Sequence, residues 1–470
     1  MNKLLEIFPK EYVIDKKISV KFGQIPSFVS DYLVSQLVDS ENPQTGILKI
    51  QKLLEENYAE SSKKELIKSR IKEIGRYNLL GHLQVRLDQN KDDYFATISS
   101  LEDNNIRIHR TVLEKFGDKL LSEGCFGNIV VAYDPNTLIK KKNYPFVIID
   151  FVPLSITQIN LDEYIEKRKL FSTEEWIDLL INSIGFNPER LTQEQKLLYI
   201  CRLILFVESN VNLIELGPVA TSKTHFFRNL SQYGLVLSGS NPTIASLFYN
   251  KLRRSPGVIC YKDFLAFDEI SSVSFNNEEL INTLKDYLNS GKFSRDKTEL
   301  SSSCGVILLG NIDCDLKIYE PKNTYQHLFV PLPIKIRNDR AFLDRFHGYL
   351  PGWKLPQISV SSLSQDYAFA SDYLSEIFHR LRDKNYSYVL NSKIQFLETG
   401  FRNQIALTKL ASGLLKIIFP HRTIETILNE ELELIMGLSV SLRQRILDQL
   451  KIISPGEFKN SQIGYKIKGE

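Results

Sequence analysis

The 470-residue sequence has few of the features that mark secreted, zinc-binding or membrane-spanning proteins. Its five cysteines occur without C-x-x-C spacing, which argues against a zinc site or a disulfide framework and predicts reduced, mostly buried thiols. No uninterrupted apolar stretch is long enough to cross a bilayer, and no charged and apolar leader pattern opens the chain. We therefore expect a cytoplasmic protein with no membrane partner.

The overall charge is also uninformative. The chain carries 59 Lys and Arg against 56 Asp and Glu, and a net charge of +3 on so long a chain does not by itself indicate a nucleic-acid partner. An apolar content of 43% is enough for several packed domains. The function must therefore be sought in local motifs.

The most informative motif is an apolar run followed by a loop and a helix, VNLIELGPVATSKTHF from Val211 to Phe226. It fits the phosphate-loop pattern G-x-x-x-x-G-K-[ST], in which Lys223 meets the terminal phosphates and the Thr224 hydroxyl meets magnesium. Ser222 stands where the pattern has its second glycine, so a Cβ occupies a position that should need unusual backbone freedom. The predicted nucleotide-binding segment is Gly217, Pro218, Val219, Ala220, Thr221, Ser222, Lys223, Thr224 and His225.

Two further apolar runs end in polar residues suited to the same chemistry. Residues 258–270, VICYKDFLAFDEI, predict a second strand that places Asp268 on magnesium and Glu269 against the attacking water. Residues 305–310 predict a third strand that ends at Asn311, where an amide would meet the γ-phosphate. The only metal that we expect is the Mg²⁺ that accompanies ATP. An ordinary strand-end turn is the alternative for each segment.

An arginine follows these elements in the sequence FLDRFH. In a ring, a neighbouring subunit could point Arg345 into the next nucleotide; the alternative is a surface ion pair with Asp344 or Asp339. The four elements in this order predict an AAA+ ATPase module: an α/β P-loop domain with a parallel sheet flanked by helices.

Two basic segments are candidates for DNA contact. Residues 62–76 predict a helix with Ser62 as N-cap and Glu65 closing a capping box, and Lys64, Lys68 and Lys72 recur along one face. A solvated helix face is the alternative to a phosphate-tracking surface.

The second basic segment lies between the acids and Asn311. Residues 292–295 and 298–301 can pair as a hairpin that carries Lys292, Arg295 and Lys297 toward the pore of a ring. An ordinary exposed turn is the alternative, and Phe293 leaves open a loop that grips polypeptide.

The remaining pattern predicts an α+β N-terminal domain and an all-α C-terminal lid. Helices are predicted over 25–58 and 62–76, and strands over 83–87, 94–98, 106–112, 128–132 and 146–152; such strands can close into a small barrel or form a sandwich. The predicted divisions are 1–153 (N-terminal domain), 154–207 (helical connector), 208–355 (nucleotide-binding domain), 356–453 (lid) and 454–470 (polar tail).

The motifs IELGPVATSKTHFFRNLS, FLAFDEIS, LKDYLNSGKFSRDKTE, LGNID, DRFHGYLPGW and FRNQIALTKLASGLLKIIFP resemble the BrxL family, Lon-like AAA+ proteins of BREX phage-defence systems. The resemblance implies an ATPase core similar to MCM-type helicases, and a hexameric or heptameric ring, single or stacked. It also implies duplex DNA bound without sequence preference, and other BREX components as partners. It assigns Arg345 as the arginine finger and Arg402 as a second sensor of the γ-phosphate.

Two departures from the family pattern modify these expectations. Ser222 puts tight nucleotide binding or turnover in doubt, and the sequence ends before a Lon-like protease domain, so proteolysis is not predicted. Two other classes of function remain open: a non-hydrolysing DNA-binding scaffold ring, and an AAA+ remodeller of protein substrates.

Overall fold

The computed structural model describes residues 3–18, 22, 25–38, 42–58, 61–88, 91–122, 124–136, 138–139, 142–154, 159–239, 241–251, 255–275, 277–295, 298–315, 317–459 and 462–468. The chain divides into two compact units. The first comprises Met1–Ile159 with Ala370–Tyr373, and the second comprises Asn160–Phe369 with Leu374–Glu470. No helix of the described segments is long and apolar enough to cross a membrane.

The first unit combines helices with short and long strands. Its helices are α1 (Lys3–Ile7), α2 (Ser27–Leu37), α3 (Pro43–Asn57), α4 (Lys64–Ile74) and α5 (Arg110–Ser122). Its strands are β1 (Val13–Asp15), β2 (Arg76–Asp88), β3 (Asp93–Ile98), β4 (Asp103–Ile108), β5 (Cys125–Tyr133), β6 (Leu138–Ile139), β7 (Lys142–Asn143) and β8 (Phe146–Pro153).

Five of these strands form a closed barrel in the order β2-β3-β4-β8-β5. All neighbouring pairs are antiparallel except β4 and β8, and α5 lies between the third and fourth barrel strands along the chain. Inward residues such as Leu83, Ala96 and Ile129 are fully buried, because alternate side chains of each strand face the interior. Of the two arrangements that the sequence left open, the barrel is the one present.

Two local predictions for this unit were wrong. The strand predicted over 106–112 ends at Ile108, and α5 begins at Arg110, because the buried Val112 and Leu120 belong to one face of that helix. The predicted capping box at Ser62 is absent: a 3-10 turn over Ser61–Lys63 precedes α4, whose N-cap position is Lys63 without a side-chain cap.

The second unit contains most of the helices. They are α6 (Leu161–Arg168), α7 (Thr173–Ser183), α8 (Gln193–Arg202), α9 (Ile204–Val207), α10 (Lys223–Asn229), α11 (Ile244–Leu247), α12 (Glu278–Ser290), α13 (Arg340–Leu343), α14 (Ser371–Leu381, which begins in the first unit), α15 (Ser387–Lys393), α16 (Phe401–Ile418) and α17 (Asn429–Ile453).

The strands of the second unit are mostly short. They are β9 (Asn212–Gly217), β10 (Gly234–Ser238), β11 (Tyr249–Asn250), β12 (Ser255–Pro256), β13 (Phe264–Asp268), β14 (Lys292–Arg295), β15 (Thr298–Ser301), β16 (Gly305–Asn311), β17 (Cys314–Asp315), β18 (Glu320–Pro321), β19 (Gly348–Pro351), β20 (Tyr367–Phe369), β21 (Ile394–Leu397) and β22 (Gly464–Ile467).

A five-stranded parallel sheet organises this unit, in the order β10-β13-β16-β9-β19. The three central strands are buried almost throughout, as expected for a parallel sheet covered on both faces. The predicted mixed α/β character with a parallel sheet is confirmed. The strand predicted from Val258 begins only at Phe264, because Val258–Cys260 forms a 3-10 turn.

Other predictions for the second unit fared differently. The hairpin is confirmed, since β14 pairs antiparallel with β15 and Lys292 lies opposite Ser301. The segment predicted as an all-α lid contains α14 to α17 but also the strands β20 and β21, and β21 pairs with β22. Within the segment predicted as a polar tail, residues 464–467 form β22, and Ile467 is buried.

Candidate nucleotide-binding site

The predicted nucleotide residues meet at the carboxyl edge of the parallel sheet. Strand β16 lies between β9 and β13, and Asn311 at its end is opposite Gly217, where the phosphate loop begins. Asp268 ends β13 on the other side of β16. Neighbouring strands lie about 4.8 Å apart. Gly217, Asp268 and Asn311 are more than 40 positions apart in the sequence, yet they lie close together because each ends one of three neighbouring strands. The edge of an open parallel sheet is where α/β proteins bind ligands.

Within the phosphate loop, the Lys223 ammonium folds back onto the loop backbone. Its Nζ donates to the carbonyls of Gly217 (3.0 Å) and Pro218 (2.7 Å) and to Thr221 Oγ1 (3.3 Å). Burial lowers the pKa of Lys223 to about 8. A buried ammonium held only by neutral oxygens is suited to bind phosphate, because anionic oxygens form stronger hydrogen bonds than carbonyls.

A buried ion pair holds this loop, and the sequence reasoning missed it. Arg202 of α8 forms hydrogen bonds with both carboxylate oxygens of Glu215 in β9 (3.0 and 2.5 Å), and Arg202 Nη2 also donates to the Thr221 carbonyl (3.1 Å). Both side chains are fully buried. Removing either partner would leave a buried unpaired charge. A charged residue in the apolar run that leads to the loop was the available signal.

The two adjacent acids have different surroundings. Asp268 is buried; its Oδ2 accepts from Ser238 Oγ (3.1 Å) and its Oδ1 from the backbone N–H of Glu269 (3.0 Å). Glu269 is exposed and has a left-handed backbone, with φ 50° and ψ 47°. Asp268 is thus fixed in place, which suits it to hold a metal ion. Glu269 projects from a turn toward solvent, which suits it to contact a water molecule.

The residues at this edge fit Mg²⁺–ATP. The site has a buried ammonium, a buried carboxylate and the Thr224 hydroxyl, which are the donor types that phosphates and Mg²⁺ require. His225 is exposed on the first turn of α10, and Val219 and Ala220 form the exposed tip of the loop. The burial and chemistry of these groups are therefore compatible with nucleotide binding by the nine predicted loop residues.

The two predicted arginines lie at the opposite edge of the sheet. Arg345 precedes β19, and the nearby His347 N–H donates to the Asn212 carbonyl at the amino end of β9 (2.8 Å). Since β9 has six residues and a strand rises about 3.3 Å per residue, roughly 17 Å separates this edge from the phosphate loop. Arg345 and Arg402 therefore lie on the wrong side of the sheet to reach the loop of their own chain.

Arg402, one of the two arginines, is held by Asp344, an aspartate that the sequence reasoning treated only as an alternative partner of Arg345. Asp344 accepts hydrogen bonds from Arg402 and, at 2.5 Å, from the buried Arg443 of α17. Burial and, next, the charge of Arg402 lower the pKa of Arg345. Arg345 Nε is buried and has no hydrogen-bond partner within the described segments. Arg345 and Arg402 are thus neighbouring cations; Arg402 is paired with Asp344, whereas Arg345 donates through Nη1 to the Ala341 carbonyl.

The candidate DNA residues of the hairpin are only partly described. Lys292 is exposed and lies 3.8 Å from Glu299 on the opposite strand. Arg295 ends β14, and Lys297 lies outside the described residues. Phe293 is 3% exposed and packs against Phe248 with ring centroids 4.9 Å apart. The only aromatic residue of β14 therefore belongs to the core, which weighs against a loop that grips polypeptide.

The lysine face of α4 is partly neutralised. Lys64 pairs with Glu102, which lies in the turn before β4. Lys68 lies 3.7 Å from Asp103, the first residue of β4. Lys72 is exposed. Ion pairs of this exposed kind contribute little stability, but they lower the positive potential that a phosphate backbone would meet.

Ser222 has the backbone expected of the glycine that it replaces. Its φ is 56° and ψ is 22°, and its Oγ is buried with no hydrogen-bond partner within the described part of the chain. A left-handed conformation costs a residue with a Cβ roughly 1–2 kcal/mol, and an unsatisfied buried hydroxyl adds to that penalty.

We expect the Ser222→Gly variant to bind Mg²⁺–ATP more tightly than the wild type, by about 1 kcal/mol or roughly fivefold. The glycine removes both the Cβ and the orphaned hydroxyl, so the loop can approach the phosphates. Nucleotide titration of both proteins measures the effect. Ser222→Ala is the matched control, since it keeps the Cβ and removes only the hydroxyl. Equal or tighter binding by the serine form, with weaker binding by alanine, would make the hydroxyl a phosphate ligand instead.

Comparison with known families agrees with this architecture. Residues 146–464 match the family described as "Lon-like protease BrxL-like, ATPase domain". Residues 6–133 match "BREX system Lon protease-like protein BrxL N-terminal". The second match covers four of the five barrel strands, and the first covers the whole parallel sheet.

Two curated relatives extend over nearly the whole chain. "Lon-like protease BrxL" of Bacillus cereus (strain H3081.97) is 32% identical over 462 residues, which is 96% of this chain and 67% of that protein. "Lon-like protease BrxL" of Escherichia coli O9:H4 (strain HS) is 31% identical over 450 residues, 94% of this chain and 63% of that protein. The chain thus spans about two thirds of the length of these relatives, and it belongs to the BrxL family of BREX-associated, Lon-protease-like proteins.

Proposed function

We propose that this protein is a ring-forming AAA+ ATPase that binds duplex DNA without sequence preference and acts with other BREX components in defence against phage. The observation that carries the proposal is the arrangement of the sheet. Lys223, Asp268, Glu269 and Asn311 occupy its carboxyl edge, while Arg345 and Arg402 occupy the amino edge. Such a chain needs a second copy to complete its site.

The division of labour follows from the chemistry of each group. Lys223 neutralises phosphate charge, and the Thr224 hydroxyl and Asp268 hold Mg²⁺. Glu269 orients or deprotonates the attacking water, and Asn311 contacts the γ-phosphate. Bound Mg²⁺ supplies electrostatic stabilisation of the phosphoryl group. Arg345 and Arg402 of a neighbour stabilise the charge that develops there.

The strand arrangement of the barrel is an argument for a nucleic-acid partner. Its five strands, with one parallel pair and a helix between the third and fourth, follow the arrangement of oligonucleotide-binding barrels. Arg86 and Arg107 both lie opposite Phe95 on neighbouring strands and therefore share the outer face of the barrel. Arg107 Nε is buried with no hydrogen-bond partner in the described segments. These two arginines, of which Arg86 lies 3.9 Å from Asp88, are a cationic pair that the sequence reasoning did not identify.

The proposal is tested by phosphate release from Mg²⁺–ATP with and without duplex DNA, together with DNA binding at several salt concentrations. We expect turnover in the wild type, none in Lys223→Ala, and DNA affinity that falls steeply with salt but is similar for unrelated sequences. A wild type that binds DNA without releasing phosphate would instead be a non-hydrolysing scaffold, the alternative that Ser222 favours.

Variants of the basic surfaces locate the DNA contacts in the same assay. Replacing Lys292, Arg295 and Lys297 with alanine should flatten the slope of log affinity against log salt by about 0.9 for each lost phosphate contact. The matched variant replaces Lys64, Lys68 and Lys72, two of which already pair with acids, and should change the slope less. The reverse order would assign the DNA surface to α4.

A further inference from the structure

An exposed apolar pair lies beside the arginines at the amino edge of the sheet. Phe401 and Ile405 are the first and fifth residues of α16, and their exposures are 78% and 39%. Residues four apart on a helix lie on one face, so the two side chains form one apolar surface. Arg402, whose side chain is 49% exposed, lies next to Phe401 on the same turn.

This exposure is unusual for the residue type. Phe401 is more exposed than any other phenylalanine or tryptophan in the described segments. The inner face of the same helix is buried, including Ala406, Leu407 and Leu410. The helix is therefore firmly packed, and Phe401 and Ile405 stand on its outer face. Apolar side chains grouped next to charged ones are typical of protein interfaces.

Resting on the proposed function, we infer that Phe401 and Ile405 form the apolar anchor by which one chain docks on the nucleotide-binding edge of a second copy. The anchor places Arg402 and the adjacent Arg345 against that copy's phosphates. We call these four residues the docking surface.

Two features of the nucleotide-binding edge identify it as the surface that the anchor fits. The first is charge: that edge carries Asp268 and the exposed Glu269 and would carry the phosphates of ATP, whereas the docking surface carries Arg345 and Arg402, of which Arg402 is paired with Asp344. The second is exposed apolar area. Val219 at the tip of the phosphate loop is 62% exposed, and Ile318 beyond Asn311 is 66% exposed. Apolar and charged groups on one edge thus have counterparts on the other.

The geometry also makes the contact heterologous. The docking surface and the nucleotide edge lie at opposite ends of the parallel strands, so each chain can offer one to a neighbour on either side. Contacts of this head-to-tail kind generate rings or filaments rather than closed dimers. The apolar anchor would supply the non-directional part of the binding energy and the arginines its register.

The test measures the oligomeric state of the full chain by sedimentation, in the presence of Mg²⁺–ATP and over a range of protein concentrations. In the double variant Phe401→Gln with Ile405→Gln, we expect assembly to require an at least roughly tenfold higher protein concentration. Leu48→Gln is the matched control, since Leu48 is also on a helix surface and is 64% exposed; it should assemble as the wild type does. Thermal unfolding of all three proteins excludes a folding defect.

A subunit-mixing assay separates this inference from the proposed function. Lys223→Ala keeps the docking surface and loses the phosphate loop, whereas the double variant does the reverse. In a random 1:1 mixture about one contact in four pairs an intact loop with an intact surface, so ATP turnover should reappear. Unchanged assembly of the double variant, or no recovery although the two co-assemble, would overturn the anchor. If the wild type itself has no turnover, the proposed function fails, while the sedimentation result still decides the docking surface.

Discussion

Replacing Arg345 with alanine should abolish ATP turnover while leaving nucleotide binding intact. Arginines supplied to a neighbouring site in related NTPases contribute about 10³ to 10⁵ in rate, and we expect a loss in that range. Nucleotide affinity should be largely retained because the phosphate loop of each chain keeps Lys223, whereas the neighbour's Arg345 acts on the charge that develops in the transition state. Phosphate release and nucleotide titration of the assembled variant measure both quantities.

Arg340→Ala is the matched control for Arg345→Ala. Arg340 lies in α13 of the same segment, but it is exposed and pairs with Glu457 at 2.9 Å. Its removal should leave turnover near the wild-type rate. Mixing Arg345→Ala with Lys223→Ala subunits should restore part of the activity. If the Arg345→Ala chain turns over ATP normally, or if the two variants co-assemble without any recovery, the arginine does not act on a neighbour.

The sequence predicted best the positions in the fold of residues that belong to short, contiguous patterns. Lys223 follows an apolar run and a loop, Asp268 and Asn311 each end an apolar run, and strand ends of one parallel sheet necessarily share an edge. The hairpin over 292–301 was predictable for the same reason, since only two residues separate its two strands in the sequence. Local pattern was sufficient in each of these cases.

What the sequence could not give was the partner of each charged residue. Arg202 and Glu215 are 13 residues apart, and Asp344 and Arg443 are 99 apart. Nothing in either local pattern specifies the pairing, because the pairing depends on how helices pack onto the sheet. The separation of Arg345 from its own phosphate loop likewise emerges only from the register of β19 with β9.

Errors in element bounds have a related cause. The segment Ile106 to Val112 is apolar enough for a strand. Val112 nevertheless belongs to the helix α5 and packs into the core of the barrel from that helix, not from a strand. The polar composition after residue 454 suggested a tail, yet Ile394 and Ile467 pair in β21 and β22 and are buried together. Tertiary burial overrides local composition in both segments.

Ser222 shows how a departure from a motif can be read physically. The motif gives the position, and the structure gives the reason for glycine there, since φ is 56°. Serine is thus tolerated at an energetic cost and not excluded. The phosphate loop is otherwise intact, with Lys223 buried and Arg202 holding the Thr221 carbonyl.

Replacing Glu269 with glutamine should remove hydrolysis and keep both nucleotide binding and assembly. A general base contributes about 10² to 10⁴ in rate, and the amide keeps the shape of the carboxylate but cannot accept the proton of water. Glu269 is exposed and takes its backbone conformation from the turn after β13, so the substitution should not disturb the fold. Phosphate release, nucleotide titration and sedimentation of the variant provide the three readouts.

Asp268→Asn provides the contrast that assigns the role of Glu269. Both Asp268 oxygens accept hydrogen bonds, from Ser238 and from the Glu269 N–H. An asparagine can keep both contacts, since the Ser238 hydroxyl can accept from the amide NH₂, but it lacks the negative charge and the second oxygen that Mg²⁺ prefers as ligand. We therefore expect Asp268→Asn to weaken Mg²⁺–ATP binding as well as turnover, whereas Glu269→Gln affects turnover alone. Undiminished phosphate release by Glu269→Gln would remove this residue from the reaction and leave water activation to another group at the same edge of the sheet.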